Sequence, residues 1–224
     1  MKQIPIPRVK QILTLALALG FLSPLYAQEF ELKGVFASGS SSKFQTNPGY
    51  GIGYNRFIKS KNRLGISMTH LFCNAPYADI QSSSEDGVSM YIDQVNPKNQ
   101  RIAFKLNYGF RLMDKPNARI YFGPEIGMNY FMVNEQYDRI ANGYISGGYF
   151  TSNYSVNNRF GIGFLLEFEL KEIIHKNIST YLSVNPEMTS FGKFGWMGGY
   201  TPSLIGWMNF NLGVRYSFNN RSPK

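Results

Sequence analysis

The chain has 224 residues, 23 Lys and Arg against 14 Asp and Glu, and a formal net charge of +9. One domain accounts for that length, and the charge is spread without a basic block, which argues against a nucleic-acid partner. Cys73 is the single cysteine, which excludes an internal disulfide.

Residues 1–27 read as a cleaved signal peptide. Lys2, Arg8 and Lys10 form a positive start, Ile12 to Leu22 an apolar core, and Leu25-Tyr26-Ala27 supplies the small residue before a cut at Gln28. The apolar run falls well short of the roughly 20 residues of a spanning helix, and no later run approaches it. A helical membrane protein is therefore excluded. No cysteine follows the cut, so a lipoprotein is not expected. Residues 28–218 are read as one β-barrel domain and 219–224 as a short periplasmic tail.

From Gln28 onward the sequence alternates with the period of a strand. Phe30–Ser38 sets Phe30, Leu32 and Phe36 against Glu31 and Lys33. Gly49–Phe57 sets Tyr50, Ile52 and Tyr54 against Gly51, Gly53 and Asn55, and its phase breaks at Arg56-Phe57, as at a bulge or strand end. Leu64–Phe72 follows, with Gly65, Ser67 and Thr69 on its polar face and His70 on its apolar face. Arg101–Leu112 opposes Ile102, Phe104, Leu106, Tyr108 and Phe110 to Arg101, Lys105, Asn107 and Arg111. Arg119–Met132, Arg159–Lys171 and Ile178–Thr189 repeat the pattern, with Arg119, Glu125, Glu167, Glu169, Lys171 and Glu187 on their polar faces. The last segment, Met208–Phe218, alternates without a fault. Met208, Phe210, Leu212, Val214, Tyr216 and Phe218 oppose Asn209, Asn211, Gly213, Arg215 and Ser217.

The connections alternate in length. Ile58–Arg63, Met113–Asn117 and Glu172–Asn177 are short, whereas Gly39–Pro48, Cys73–Gln100, Val133–Asn158 and Ser190–Ile205 are long and rich in Ser, Asn, Gly and Tyr, and within the second Val88–Val95 alternates as a strand extension above the bilayer would. Tight periplasmic turns and long outer loops give a transmembrane barrel this rhythm. The expected fold is all-β: an eight-stranded antiparallel up-and-down transmembrane β-barrel, with both termini on the periplasmic side.

A soluble ligand-binding barrel has the opposite facing, with apolar residues inside. Three features decide against it. Gly51, Gly53, Gly65, Gly109, Gly123, Gly127, Gly161, Gly163 and Gly213 all share the charged face. An eight-stranded interior is only wide enough for side chains, so long charged residues need small neighbours there. The apolar face is too aromatic to fit such an interior. The charged face carries both signs, and Glu31, Lys33, Lys105, Arg111, Arg119, Glu125, Glu167, Glu169, Lys171, Glu187 and Arg215 form the expected lumenal charge network.

With these strands and the final Asn209–Phe218 segment, the chain resembles the outer-membrane β-barrel domain family, akin to the small barrels of OmpA and OmpX. The resemblance spans essentially all of residues 28–218. Gly123-Pro124-Glu125-Ile126-Gly127 is similar to strand motifs of that family. The Tyr216-Ser217-Phe218 ending resembles its barrel-assembly signal, although Asn219–Lys224 follow it. The resemblance thus implies Phe210, Tyr216 and Phe218 as the signal, the barrel-assembly machinery as a biogenesis partner, and outer-membrane lipids as surroundings. Barrels resembling the PorT secretion component share this size and layout, which gives an alternative role as an accessory factor in secretion or envelope assembly.

No cofactor, metal or catalytic residue is expected. A lipid-modifying enzyme would need a nucleophile beside a histidine base. Ser67 points away from His70 on its strand, and His175 falls in a turn. Asp79, Glu85, Asp86 and Asp93 read as solvated loop acids. The better functional candidates are the long loops. Tyr137, Tyr144, Tyr149 and Tyr154 in one, and Trp196 and Tyr200 in another, stand among Ser, Gly and Asn. That composition suits adaptable surface recognition.

Overall fold

The computed structural model describes residues 28–40, 47–58, 61–83, 89–141, 144–145, 150–173, 175–191 and 203–218. The leader expected at 1–27 and the tail at 219–224 lie outside them. The described chain is all strand: β1 (Gln28–Gly39), β2 (Asn47–Ile58), β3 (Asn62–Cys73), β4 (Tyr77–Ser83), β5 (Ser89–Pro97), β6 (Asn99–Asp114), β7 (Ala118–Ala141), β8 (Tyr144–Ile145), β9 (Phe150–Leu170), β10 (Ile178–Phe191) and β11 (Ser203–Ser217).

Eight of these strands close a ring in the order β1, β2, β3, β6, β7, β9, β10, β11, each antiparallel to the next. Closure removes the free edges that lipid cannot hydrate. The seam joins the first and last strands, with Phe30 opposite Tyr216 and Phe36 opposite Phe210.

Exposure follows the alternation. Phe36, Ile52, Phe104, Phe110, Phe164, Leu166, Leu182 and Leu212 point outward and are exposed, whereas Glu31, Arg63, Lys105, Glu125, Glu167, Glu187 and Arg215 are buried inside. On β6 the outward apolar run from Leu112 to Ile102 rises about 25 Å once the strand is tilted, the height of a bilayer's apolar band. A soluble barrel with this exterior would expose apolar surface all round, far beyond the patches that water tolerates.

Four expectations need correcting. The Cys73–Gln100 connection holds more than the strand extension at Val88–Val95, which is β5: β4 pairs with it in a hairpin, and β5 pairs β7 from Tyr91↔Ala141 to Pro97↔Glu135. Much of Val133–Asn158 is strand, since β7 runs to Ala141 and β9 starts at Phe150, with Val133 opposite Tyr154 and Tyr137 opposite Phe150. Above the apolar belt no lipid enforces alternation, so backbone pairing continues through polar sequence that reads as loop. Asn62 and Arg63 belong to β3, not to the turn before it. Of the two readings of Arg56-Phe57 the bulge is the one to correct: register runs unbroken to Ile58↔Asn62, where β2 ends, and the shifts fall at Arg111/Met113 and Asn129/Phe131.

The glycines give the lumen its room. Gly213 lies opposite Tyr181, and a Cβ there would come within 2.6 Å of the Tyr181 ring. Gly53 lies opposite Glu31, whose side chain fills the space a Cβ would take.

Leu166→Arg, on the outward face of β9, is expected to oppose folding into liposomes by about 2–4 kcal/mol. Gln136→Arg, outward but beyond the belt, is expected to cost less than about 1 kcal/mol. Urea titrations of both variants in the same vesicles check this, and equal costs contradict the facing.

Candidate functional site

The lumen is the densest cluster of chemistry in the fold. At its centre Glu167 of β9 lies between two arginines. Arg63 of β3 donates to its two carboxylate oxygens at 2.7 and 2.8 Å, and Arg215 of β11 donates to the same two at 2.6 Å each. Each guanidinium also stacks on a tyrosine: Arg63 over Tyr121 at 4.4 Å, Arg215 over Tyr181 at 3.8 Å. Planar, delocalised charge is suited to both contacts at once. Arg215 reaches on to Glu31 at 3.1 Å, and Glu31 accepts from Lys33 at 3.1 Å and from Asn55 at 3.0 Å.

A second knot sits nearer the long loops. Lys105 bridges Glu125 at 2.7 Å and Glu187 at 2.8 Å. Arg101 pairs with Glu187 and donates from Nε to Asn129 at 2.8 Å. Asn185 donates to the free oxygen of Glu125 at 3.1 Å. A third group rings the short-turn mouth, where Asp114 holds Arg111 at 2.6 Å, Lys171 at 2.7 Å and Arg119 at 3.4 Å. Glu169 accepts from Ser179 at 2.6 Å and faces Arg119 at 3.8 Å.

Above Arg101 the lumen turns largely apolar, with Asn47, Asn99 and Glu135 as its buried polar residues. Val35, Ala37, Leu71, Cys73, Phe131, Val133, Ile205 and Trp207 form a buried cluster, capped from below by the Arg101 guanidinium 4.1 Å over the Trp207 ring. Between the two charged knots lies a cavity of about 10 Å³, bordered by Glu31, Lys33, Asn107, Glu125, Asn185 and Arg215. That is room for about one water molecule.

The eleven charged residues expected in the lumen fall into two ion-pair networks: Glu169, 3.8 Å from Arg119 and 3.9 Å from Arg215, joins the mouth group to the Glu167 centre, whereas Lys105, Glu125 and Glu187 form their own knot with Arg101. Arg111, Arg119 and Lys171 sit at the lumen's mouth around Asp114, and the other eight are deeper. Sequence reasoning omitted Arg63, Arg101, Glu29, Glu135 and Asp114. Arg63 was hidden by its place in an expected turn, and Glu135, which accepts from Asn99 at 2.8 Å, by its place in an expected loop. Arg101 carried the signal of its phase on β6.

No hydrolytic dyad forms at His70. Its ring faces outward, between Tyr50 Oη at 3.1 Å and Gln100 Oε1 at 3.0 Å, while Ser67 is buried on the lumenal side. His175 accepts from the Asn177 backbone in a turn. Among the described residues no cluster of His, Cys, Asp and Glu is placed to hold a metal ion.

Of the residues expected in surface recognition, Tyr137 is in β7, Tyr144 in β8 opposite Ala141, and Tyr154 in β9. Tyr149, Trp196 and Tyr200 lie outside the described residues. Phe210, Tyr216 and Phe218 are exposed on the outer wall; the Tyr216 and Phe218 rings meet edge to face at 5.3 Å, and the Phe218 amide donates to the Gln28 carbonyl at 3.0 Å.

No protein-family model and no curated protein matches the chain. Solved structures do. Neisserial surface protein A superimposes with a TM-score of 0.51 at 14% identity, covering 86% of this chain and 99% of that one. The attachment invasion locus protein Ail of Yersinia pestis gives 0.44 at 10%, covering 87% and 100%, and the outer-membrane protease OmpT of Escherichia coli gives 0.42 at 12%, covering 86% and 96%. The likeness to Neisserial surface protein A shows that the chain has the fold of the small eight-stranded outer-membrane barrels.

Glu167→Ala leaves two buried guanidiniums facing each other without their shared carboxylate. Unfolding in detergent micelles is expected to show a loss of about 3–5 kcal/mol. Lys171→Gln at the mouth is expected to lose less than about 1 kcal/mol.

Proposed function

We propose that the protein is an integral barrel of a Gram-negative outer membrane, exported by the leader at 1–27, whose work is structural or recognition at the cell surface. The observation that carries this reading is the asymmetry of the two ends. At one end the wall strands meet in short turns, such as Lys115–Ala118. At the other, β7 and β9 continue past the belt, and β4, β5 and β8 add to them. Strand pairing gives the projecting segment a shape, and the Tyr, Ser, Gly and Asn of its sequence suit contact with a partner.

The lumen supports a closed body and not a general pore. Ionic knots fill it from the mouth to Arg101, and the apolar cluster follows. The barrel-assembly machinery would read Phe210, Tyr216 and Phe218 during insertion. No cofactor or catalytic residue is assigned.

Two measurements test this. Purified protein in planar bilayers is expected to show no steady porin-sized conductance, and reproducible openings of that size contradict the closed lumen. An epitope inserted between residues 83 and 89 is expected to be bound by antibody on intact cells, whereas one at Pro116 is bound only after the outer membrane is opened. Reversed accessibility overturns the orientation, and with it the surface role.

A further inference from the structure

The short-turn end of the lumen carries more positive charge than its own acids engage. A local irregularity arranges it. The register between β6 and β7 shifts at Arg111/Met113, so Asp114 comes opposite Arg119 and joins the inner side of the wall, where Arg119 lies opposite Glu169. A shift of this kind re-aims a side chain. Here it sets one carboxylate among three cations, Arg111, Lys171 and Arg119. The Lys171 amide also donates to the Asn117 carbonyl at 3.0 Å, which fixes the β6–β7 turn beside the end of β9.

The acids do not use up the donors. A guanidinium has five N–H donors. Arg111 has Asp114 as its ion-pair partner, while Arg119 reaches Asp114 at 3.4 Å and Glu169 at 3.8 Å, both longer than a strong charge-assisted hydrogen bond. Both guanidiniums are partly open to the mouth. From the Glu167 centre down, Lys33, Arg63, Arg111, Arg119, Lys171 and Arg215 outnumber Glu29, Glu31, Asp114, Glu167 and Glu169. The turn tips widen the excess. Lys61, Lys115 and Lys176 are exposed there against Glu172, and among the described residues none of the three is ion-paired. The strand order puts their turns two strands apart around the ring, roughly 10 Å from one to the next.

We propose that this mouth docks an acidic peptide segment of a periplasmic protein. One carboxylate lies against Arg111 and Arg119, beside Asp114, and Lys61, Lys115 and Lys176 hold further carboxylates around the rim. Two observations select that occupant. Arg111, Arg119 and Lys171 stand on the inner side of the wall, where a lipid head group outside the barrel does not reach. The free lysines are spread over three turns of the rim, which suits several carboxylates on one chain better than one small anion. The inference rests on the orientation proposed above, with the short turns in the periplasm.

The test is binding by the full chain in nanodiscs of phosphatidylcholine. The probe is fluorescein-labelled hexaglutamate, with hexaglutamine as its neutral control, read by fluorescence anisotropy. Hexaglutamate is expected to bind and hexaglutamine to stay free. Arg111→Gln should weaken binding about tenfold, the loss of a hydrogen bond between charged partners. Arg56→Gln removes the same charge from the outward side of β2, opposite Leu64, and should cost less than about threefold. Asp114→Asn frees the inner cations and should strengthen binding by more than Glu172→Gln, which changes the charge equally on an exposed turn. Lys61→Gln combined with Lys115→Gln and Lys176→Gln should remove most of the binding. Each variant is first shown to be folded by heat-modifiable gel mobility. No binding by wild type, or equal effects within each matched pair, overturns the site. Displacement at matched charge by inorganic phosphate, or by dihexanoyl phosphatidylglycerol below its micelle concentration, makes it a small-anion or head-group site and overturns the peptide assignment. Reversed epitope accessibility means that the membrane orientation has failed, whereas correct orientation without binding overturns this site alone.

Discussion

The carboxylate of Glu167, held by two guanidiniums, is the contact on which the rest of this barrel depends. An exterior that meets lipid leaves the polar half of every strand only one place to go. That place is narrow and has little water. Charges there are tolerable only if they are paired. Glu167 accepts four hydrogen bonds, from Arg63 and Arg215, and so ties β3, β9 and β11 together across the lumen. Arg215 extends the tie to Glu31 on β1, at the seam where the first and last strands close the ring. The seam is therefore held twice, by its backbone ladder and by a charge crossing behind it.

Space is the companion constraint. A lumen full of arginine, glutamate and tyrosine closes only because some wall positions carry no side chain. Gly213 accepts the Tyr181 ring that in turn caps Arg215, and Gly53 accepts Glu31. The lower ionic knots stop at Arg101, where the guanidinium donates from its edge to Glu187 and lays a face over Trp207. Beyond it an apolar cluster around Leu71, Phe131, Val133 and Trp207 shares the interior with buried Asn47, Asn99 and Glu135. The lumen thus has two tiers: one is filled with paired charge, and the other packs apolar side chains around a few buried polar groups.

Much of the wall was legible in the sequence because lipid imposes a strict period. All eight wall strands carry that period, and the segregated glycines and mixed charges identify the inner face. Legibility ended where the lipid did. Val133–Ala141 and Phe150–Asn158 pair as strands without the alternation that would reveal them, and Arg63 reads as a turn residue because it stands beside Lys59–Lys61. The apolar tier was visible only in phase: Leu71, Phe131 and Trp207 occupy inward positions in strands otherwise read as having a polar lumenal face. The pairing of particular charges was not legible at all, because it depends on which strands face one another across the ring.

The central claim is that successive residues of each wall strand alternate between lipid and a closed interior. Its most direct measurement is a cysteine scan along β11, from residue 208 to 216, on a Cys73→Ser background, with a fluorophore at each position in vesicles containing brominated lipid. Quenching is predicted to be strong at Met208, Phe210, Leu212, Val214 and Tyr216 and weak at Asn209, Asn211, Gly213 and Arg215. Quenching without a period of two, or strongest at the second set, would contradict the account.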